Sequence, residues 1–195
     1  MNSVVLSNAF FGLIEMEDLS LHILDIAENS IAAGANRIEI RILEDTKKDI
    51  FSIEIKDNGK GLSKEALKMV TDPFYTTRRT RRVGLGLPFL SQSAKEAGGD
   101  IYITSEEGVG TVVYAHFEHS HIDRRPLGNI VETLVVLIAG NPEIDFLYEH
   151  RRNVNTYSID AKELRSELGG MPLNSAEVIE IIKKDIQEGL KALGI

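Results

Sequence analysis

The chain has no cysteine and no tryptophan, and only five prolines in 195 residues. Without thiols, disulfides, thiolate metal sites and cysteine nucleophiles are all excluded, and a reducing compartment is compatible with the sequence. Basic residues are in deficit: 22 Lys and Arg stand against 30 Asp and Glu, for a net charge of −8. A general nucleic-acid binder needs a basic surface to meet phosphates, so no direct nucleic-acid binding is expected. No apolar run reaches membrane-spanning length, and no repeat or low-complexity segment occurs. These absences predict a cytoplasmic protein without a membrane segment. With 43% hydrophobic residues there is enough for one core and a smaller appendage.

What is present is organised around Asp57-Asn58-Gly59-Lys60-Gly61-Leu62. Phe51, Ile53 and Ile55 alternate with Ser52, Glu54 and Lys56 ahead of it, the period of a half-buried strand. The strand ends in a carboxylate and two glycines, which let a flat ligand approach the main chain. An Asp fixed there accepts a hydrogen bond from an exocyclic amine such as the N6 of adenine. The plain alternative is an ordinary turn, since D-N-G sequences are common in turns.

Upstream, Glu17 to Ala33 reads as a helix with Leu19, Ile23, Ile26 and Ser30 on one face. His22, Asp25, Asn29 and Ala32 lie on another. Gly34 stops it, and Arg37 to Ile42 alternates as a strand. Glu44 to Asp49 reads as a polar turn leading into the site-bearing strand. Ser63 is placed to cap a short helix to Val70. An aperiodic stretch, Thr71 to Arg82, then carries four arginines, Arg78, Arg79, Arg81 and Arg82, into Val83-Gly84-Leu85-Gly86-Leu87-Pro88 at the start of a helix that ends at Gly98-Gly99. Ile101 to Ser105 and Val112 to Phe117 form a hairpin about Gly108-Val109-Gly110-Thr111.

This order predicts an α+β chain, a two-layer α/β sandwich on a mainly antiparallel sheet, with a smaller C-terminal α/β appendage. The expected boundaries are an extension at 1–16, a nucleotide-binding domain at 17–122 and an interaction or dimerisation module at 123–195. Met16 opens a cleaner helical pattern, so two readings of the preceding segment stand open, a floppy extension and an artefact of start-codon choice. The C-terminal module reads as a helix over Leu127 to Ala139 and a hairpin about Arg151-Arg152-Asn153. A short helix over Asp160 to Leu168 and a final helix opened by a capping box at Asn174-Ser175-Ala176-Glu177 complete it.

Three features converge on one chemistry. Glycines at a helix N-terminus offer unpaired N–H groups to an anion, and arginines nearby can close over it. Asn29 supplies a neutral oxygen suited to a hard cation such as Mg²⁺. Adenine pocket, metal ligand and phosphate cradle together describe an ATP site, and it is not a P-loop, because G-x-x-x-x-G-K-[ST] is absent.

At this point the chain resembles the superfamily of gyrase, the ninety-kilodalton chaperones, histidine kinases and MutL (the Bergerat ATP-binding fold). Glu28-Asn29-Ser30-Ile31-Ala32-Ala33-Gly34-Ala35-Asn36-Arg37-Ile38 is similar to the MutL form of the Asn-bearing box, and Asp72-Pro73-Phe74-Tyr75-Thr76-Thr77 with Gly84-Leu85-Gly86-Leu87 to the histidine-kinase form of the lid. Gly108-Val109-Gly110-Thr111 matches the last glycine motif, and the resemblance runs from about Asp18 to Glu118. It implies ATP and Mg²⁺ as cofactors, with Asn29 on the metal, Asp57 on the adenine amine, Gly59 and Gly61 shaping the pocket and Thr111 beside it. Gly84, Leu85, Gly86 and Leu87 would meet the phosphates, with Arg78 and Arg82 in the lid.

The resemblance also implies a general base four residues before Asn29. Hydrolytic members normally carry Glu there, whereas this chain has the shorter Asp25. It is either the base or the group that orients Asn29. Histidine kinases usually carry a basic residue where this chain has Ala32, and they need a dimerising hairpin with a phosphoacceptor His. The stretch before Asp18 is too short for one, and His22, His116, His119, His121 and His150 show no acceptor motif, so a complete two-component sensor is not expected. The resulting expectation is a histidine-kinase-like catalytic domain that phosphorylates Ser, Thr or His of a separate protein partner. The alternatives are a slow ATPase switch or a non-catalytic ATP/ADP sensor, and a homodimer is compatible with each.

Overall fold

The computed structural model describes residues 18–71 and 86–195. In chain order the elements are α1 (Leu19–Ala32), β1 (Arg37–Asp45), β2 (Ile50–Asp57), α2 (Lys64–Thr71), α3 (Gly86–Glu96), β3 (Asp100–Glu106), β4 (Gly110–Glu118), α4 (Ile130–Gly140), β5 (Asp145–Arg152), β6 (Asn155–Asp160), α5 (Ala161–Glu167) and α6 (Ala176–Leu193). The strands form one six-stranded sheet in the order β3-β4-β2-β1-β5-β6. Every pairing is antiparallel except β1 with β5. The α+β class and mainly antiparallel sheet are as expected. The last two strands extend the same sheet past β1.

Alternation decides which face of the sheet is covered. Ile38, Ile40 and Ile42 of β1, Phe51, Ile53 and Ile55 of β2, and Val113, Ala115 and Phe117 of β4 are all buried. They share one core with Leu19, Ile23 and Ile26 of α1, Leu90 of α3, Leu134 and Leu137 of α4, and Val178, Ile182 and Ile186 of α6. The other face is polar. Arg41 bonds Glu54 at 3.0 Å and Glu39 at 2.5 Å across it. Tyr102, 56% exposed, stacks with His116 there, with ring centroids 5.9 Å apart.

Two joints tie residues 123–195 to the rest. The first N–H groups of α1, on Leu19 and Ser20, donate to the carbonyls of Pro126 and Leu127 at 3.0 and 2.8 Å. The helix start is therefore satisfied by distant backbone, and Asp18 makes no side-chain cap. At the start of β1, Arg37 donates twice to Asp160, at 3.2 and 3.0 Å.

Three local expectations change. Glu44 belongs to β1 instead of a turn and is 8% exposed. The box at Asn174 does not form: Ser175 is the N-cap of α6 and makes no side-chain cap bond. Helix α4 starts at Ile130, because Asn129 accepts from the N–H of Glu132 at 3.1 Å. Ser63 does cap α2, accepting from Ala66 N at 3.2 Å. Among the described residues no helix is long and apolar enough to cross a membrane.

Candidate nucleotide site

Asp57 ends β2 directly opposite Thr111 of β4 and Ile38 of β1. It is 9% exposed. Ser30 Oγ donates to its Oδ2 at 2.8 Å, and the Gly59 N–H donates to its Oδ1 at 2.8 Å. A carboxylate has about four acceptor sites, so two remain for a ligand amine. Ser30 was visible in the sequence only as a polar residue in an apolar stripe; its position facing the sheet is what brings it to Asp57.

The turn after Asp57 is held on both sides. Asn58 Oδ1 accepts from the N–H groups of Asn36 and Arg37 at 3.0 and 2.9 Å. Lys60 N donates to Ala33 O at 3.0 Å, Gly108 N to Lys60 O at 2.8 Å, and Leu62 N to Ser105 Oγ at 2.8 Å. Gly61 has φ 64°, and a Cβ there would sit 2.1 Å from the Glu106 carbonyl oxygen. Only glycine permits that approach. The glycines thus let the turn press against α1 on one side and the β3–β4 hairpin on the other. Neither Asn58 nor Ser105 was legible as a site residue, since their partners are distant in sequence.

Along α1, Asn29 Nδ2 donates to Asp25 Oδ2 at 3.3 Å. The same oxygen accepts from the N–H of Gly86, the first residue of α3, at 3.1 Å. Asp25 therefore occupies an otherwise unpaired helix-start donor, with favourable dipole electrostatics. A Cβ on Gly86 would fall 2.2 Å from Asp25 Oδ2, so glycine is what lets α3 approach α1. With its amide nitrogen turned to Asp25, Asn29 keeps its oxygen for a cation. Among the described residues no three His, Cys, Asp or Glu cluster as a metal site.

The structure thus brings Asp25, Asn29 and Gly86 together at one end of the site and Asp57, Gly59, Gly61 and Thr111 at the other. Leu87 follows Gly86 in the first turn of α3. Arg78, Arg82, Gly84 and Leu85 lie outside the described residues. His22, one turn before Asp25, is fully buried, and neither ring nitrogen has a hydrogen-bond partner. Burial first, then the charge of Arg125, hold its pKa below the usual 6.5, against an opposing pull from Asp25. A cavity of about 490 Å³ opens at this end of the sheet, lined by Glu39, Lys56, Thr104 and Val112, among others. These alternate with the buried positions, which places most of it on the polar face of the sheet, behind the row that holds Asp57.

The chain is similar to several kinases over part of its length. It is 35% identical over 101 residues to sporulation kinase E of Bacillus subtilis (strain 168), covering 51% of this chain and 13% of that protein. Over 60 residues it is 43% identical to sporulation kinase C of the same organism, covering 31% of this chain and 14% of that one. The sensor kinase CckA of Brucella abortus (strain 2308) is 36% identical over 84 residues, 43% of this chain and 9% of that protein. The matched segment is thus a small part of each relative. The solved Aquifex aeolicus MutL ATPase domain complexed with ADP is 18% identical with a TM-score of 0.48, over 80% of this chain and 68% of that one. Residues 16–121, more than half of the chain, match the family described as histidine kinase-, DNA gyrase B-, and HSP90-like ATPase, and the chain belongs to that family of ATP-binding domains.

Proposed function

We propose that the chain binds ATP with Mg²⁺ and transfers the γ-phosphate to a Ser, Thr or His of a separate protein. The observation that carries this reading is the Asp25 carboxylate, joined to both Asn29 and the start of α3. It stands between the candidate metal ligand and the glycine helix start that would face phosphates. Its Oδ2 is engaged there, and its other oxygen keeps acceptor capacity for an incoming hydroxyl or imidazole N–H.

In the transfer, the partner's oxygen or nitrogen bonds to the γ-phosphorus and its proton passes to Asp25. The bond from the γ-phosphorus to the bridging oxygen breaks, and ADP leaves. Asn29 would hold Mg²⁺, which when bound would supply charge neutralisation to the phosphates. Asn29 holds and orients, the α3 N–H groups stabilise negative charge, and Asp57 fixes the purine.

A slow ATPase switch is the second reading, favoured by the joint between α1 and the carbonyls of Pro126 and Leu127. Any shift of α1 on nucleotide binding bears directly on the segment leading to α4. The test incubates the wild type and Asp25→Ala with γ-labelled ATP and Mg²⁺, alone and with cell extract. Label on a protein, lost in the variant, supports phosphotransfer. Free phosphate without labelled protein supports the switch, and bound but unchanged ATP overturns both.

A further inference from the structure

Ser105 carries a set of hydrogen bonds that fixes the polarity of its neighbour. It lies directly opposite Thr111 in the β3–β4 pairing, and Thr111 lies directly opposite Asp57 in the β2–β4 pairing. The three side chains therefore form one row on the same face of the sheet, with Ser105 farthest from α1.

A serine hydroxyl has one proton to give and two lone pairs to receive with. Ser105 Oγ lies 3.0 Å from the carbonyl oxygen of Gly110, which only accepts, so the serine proton goes there. One lone pair receives the N–H of Leu62 at 2.8 Å. Thr111 Oγ1 is 2.9 Å away. With the serine proton already committed, Thr111 must be the donor of that bond. Its single proton is then spent on Ser105, and its oxygen has only acceptor capacity left for anything in the pocket. Asp57, next in the row, is an acceptor too, its oxygens already receiving Gly59 N and Ser30 Oγ.

We propose that Ser105 is a specificity-determining residue: by consuming the Thr111 proton it makes the pocket row acceptor-only, and so selects purines with an amino group at C6 over those with a 6-oxo group. This rests on the reading of the site as a nucleotide pocket. An amino group has two hydrogens to offer a pair of acceptors. A 6-oxo group brings lone pairs against lone pairs, and the mismatch leaves buried polar atoms unpaired. Without the serine hydroxyl, Thr111 rotates freely and turns its proton toward the ligand, which removes part of the selection. Asp57 supplies the remainder.

The experiment titrates the full chain with ATP and with inosine triphosphate, which carries oxygen in place of the amine at C6. Wild type, Ser105→Ala and Ser105→Thr are compared by calorimetry. The expected result is a preference for ATP in the wild type, reduced about tenfold in Ser105→Ala through relatively better inosine binding, and restored in Ser105→Thr. Equal weakening of both ligands in Ser105→Ala makes the residue merely structural and overturns the proposal, as does an unchanged ratio. Failure of the wild type to bind either triphosphate overturns the nucleotide-site reading itself.

Discussion

His150 and Glu44 meet inside the protein, Nε2 to Oε1 at 3.0 Å, with the histidine fully buried. Tyr148 lies 2.8 Å from the other ring nitrogen, and His119 reaches the second carboxylate oxygen at 3.2 Å. This cluster joins β1 to β5 far along the strand from Asp57.

Burial pushes the Glu44 carboxyl up, but the bonds from His150 and His119 and the charge of Arg152 outweigh it and hold the pKa at about 2 against the usual 4.5. A depressed carboxyl contributes stability that is present above its unfolded value and lost as pH falls toward the folded one. The difference corresponds to roughly 3 kcal/mol. Glu44→Gln is expected to lower stability by about that order near neutrality and to converge with the wild type toward pH 2. Urea melts across this range measure it, and a constant gap at all pH values rejects the account.

Asp57→Asn keeps an acceptor for Gly59 N but loses the charge that strengthens every bond to the side chain. ATP affinity is expected to drop on the order of tenfold to a hundredfold, read by calorimetric titration. Unchanged affinity would remove Asp57 from the nucleotide site.

Gly86→Ala places a methyl where Asp25 Oδ2 now sits. The carboxylate must move, taking the Asn29 amide with it, and phosphotransfer or hydrolysis is expected to slow on the order of 10²-fold. Binding of ADP should change far less, because the Asp57 end is untouched. An equal loss of ADP binding and rate would show that the methyl disturbs the whole domain.

His22→Leu replaces a buried ring whose nitrogens are unpartnered. Removing an unsatisfied polar group is expected to stabilise the fold by about 1 kcal/mol near pH 7. The folded pKa of His22 is lowered, so the unfolded chain binds its proton first and the wild type loses stability as pH falls below 6.5. The gain from leucine therefore widens in mild acid. Thermal melts at several pH values would show a flat or negative difference if the ring is needed for packing.

Much of the fold was legible because alternation and helical spacing are local. Ile38 to Ile42 and Phe51 to Ile55 point their apolar residues at one core, as their spacing predicts. The Asp57 turn and the Asn29 helix were found from residue type and order. Hidden were the bonds that need a partner from elsewhere: Ser30 to Asp57, Leu62 to Ser105, and Glu44 to His150, which lie 27, 43 and 106 residues apart. The parallel pairing of β5 with β1 is of the same kind, since no pattern within either strand names its neighbour. Ser175 shows the reverse failure, a local signal that the backbone did not use.

The capping of α1 by Pro126 and Leu127 has a consequence in time. On a growing chain, the helix that bears Asp25 and Asn29 emerges from the ribosome before the carbonyls that satisfy its first N–H groups. Its permanent partners are translated about a hundred residues later, and the β5 strand that covers the open edge of β1 follows them. At the usual ~5–20 residues per second, that is an interval of several seconds or more. The helix that carries Asp25 and Asn29 is thus completed by carbonyls translated well after it, and its first turn gains its lasting partners only once residues 126 and 127 have followed.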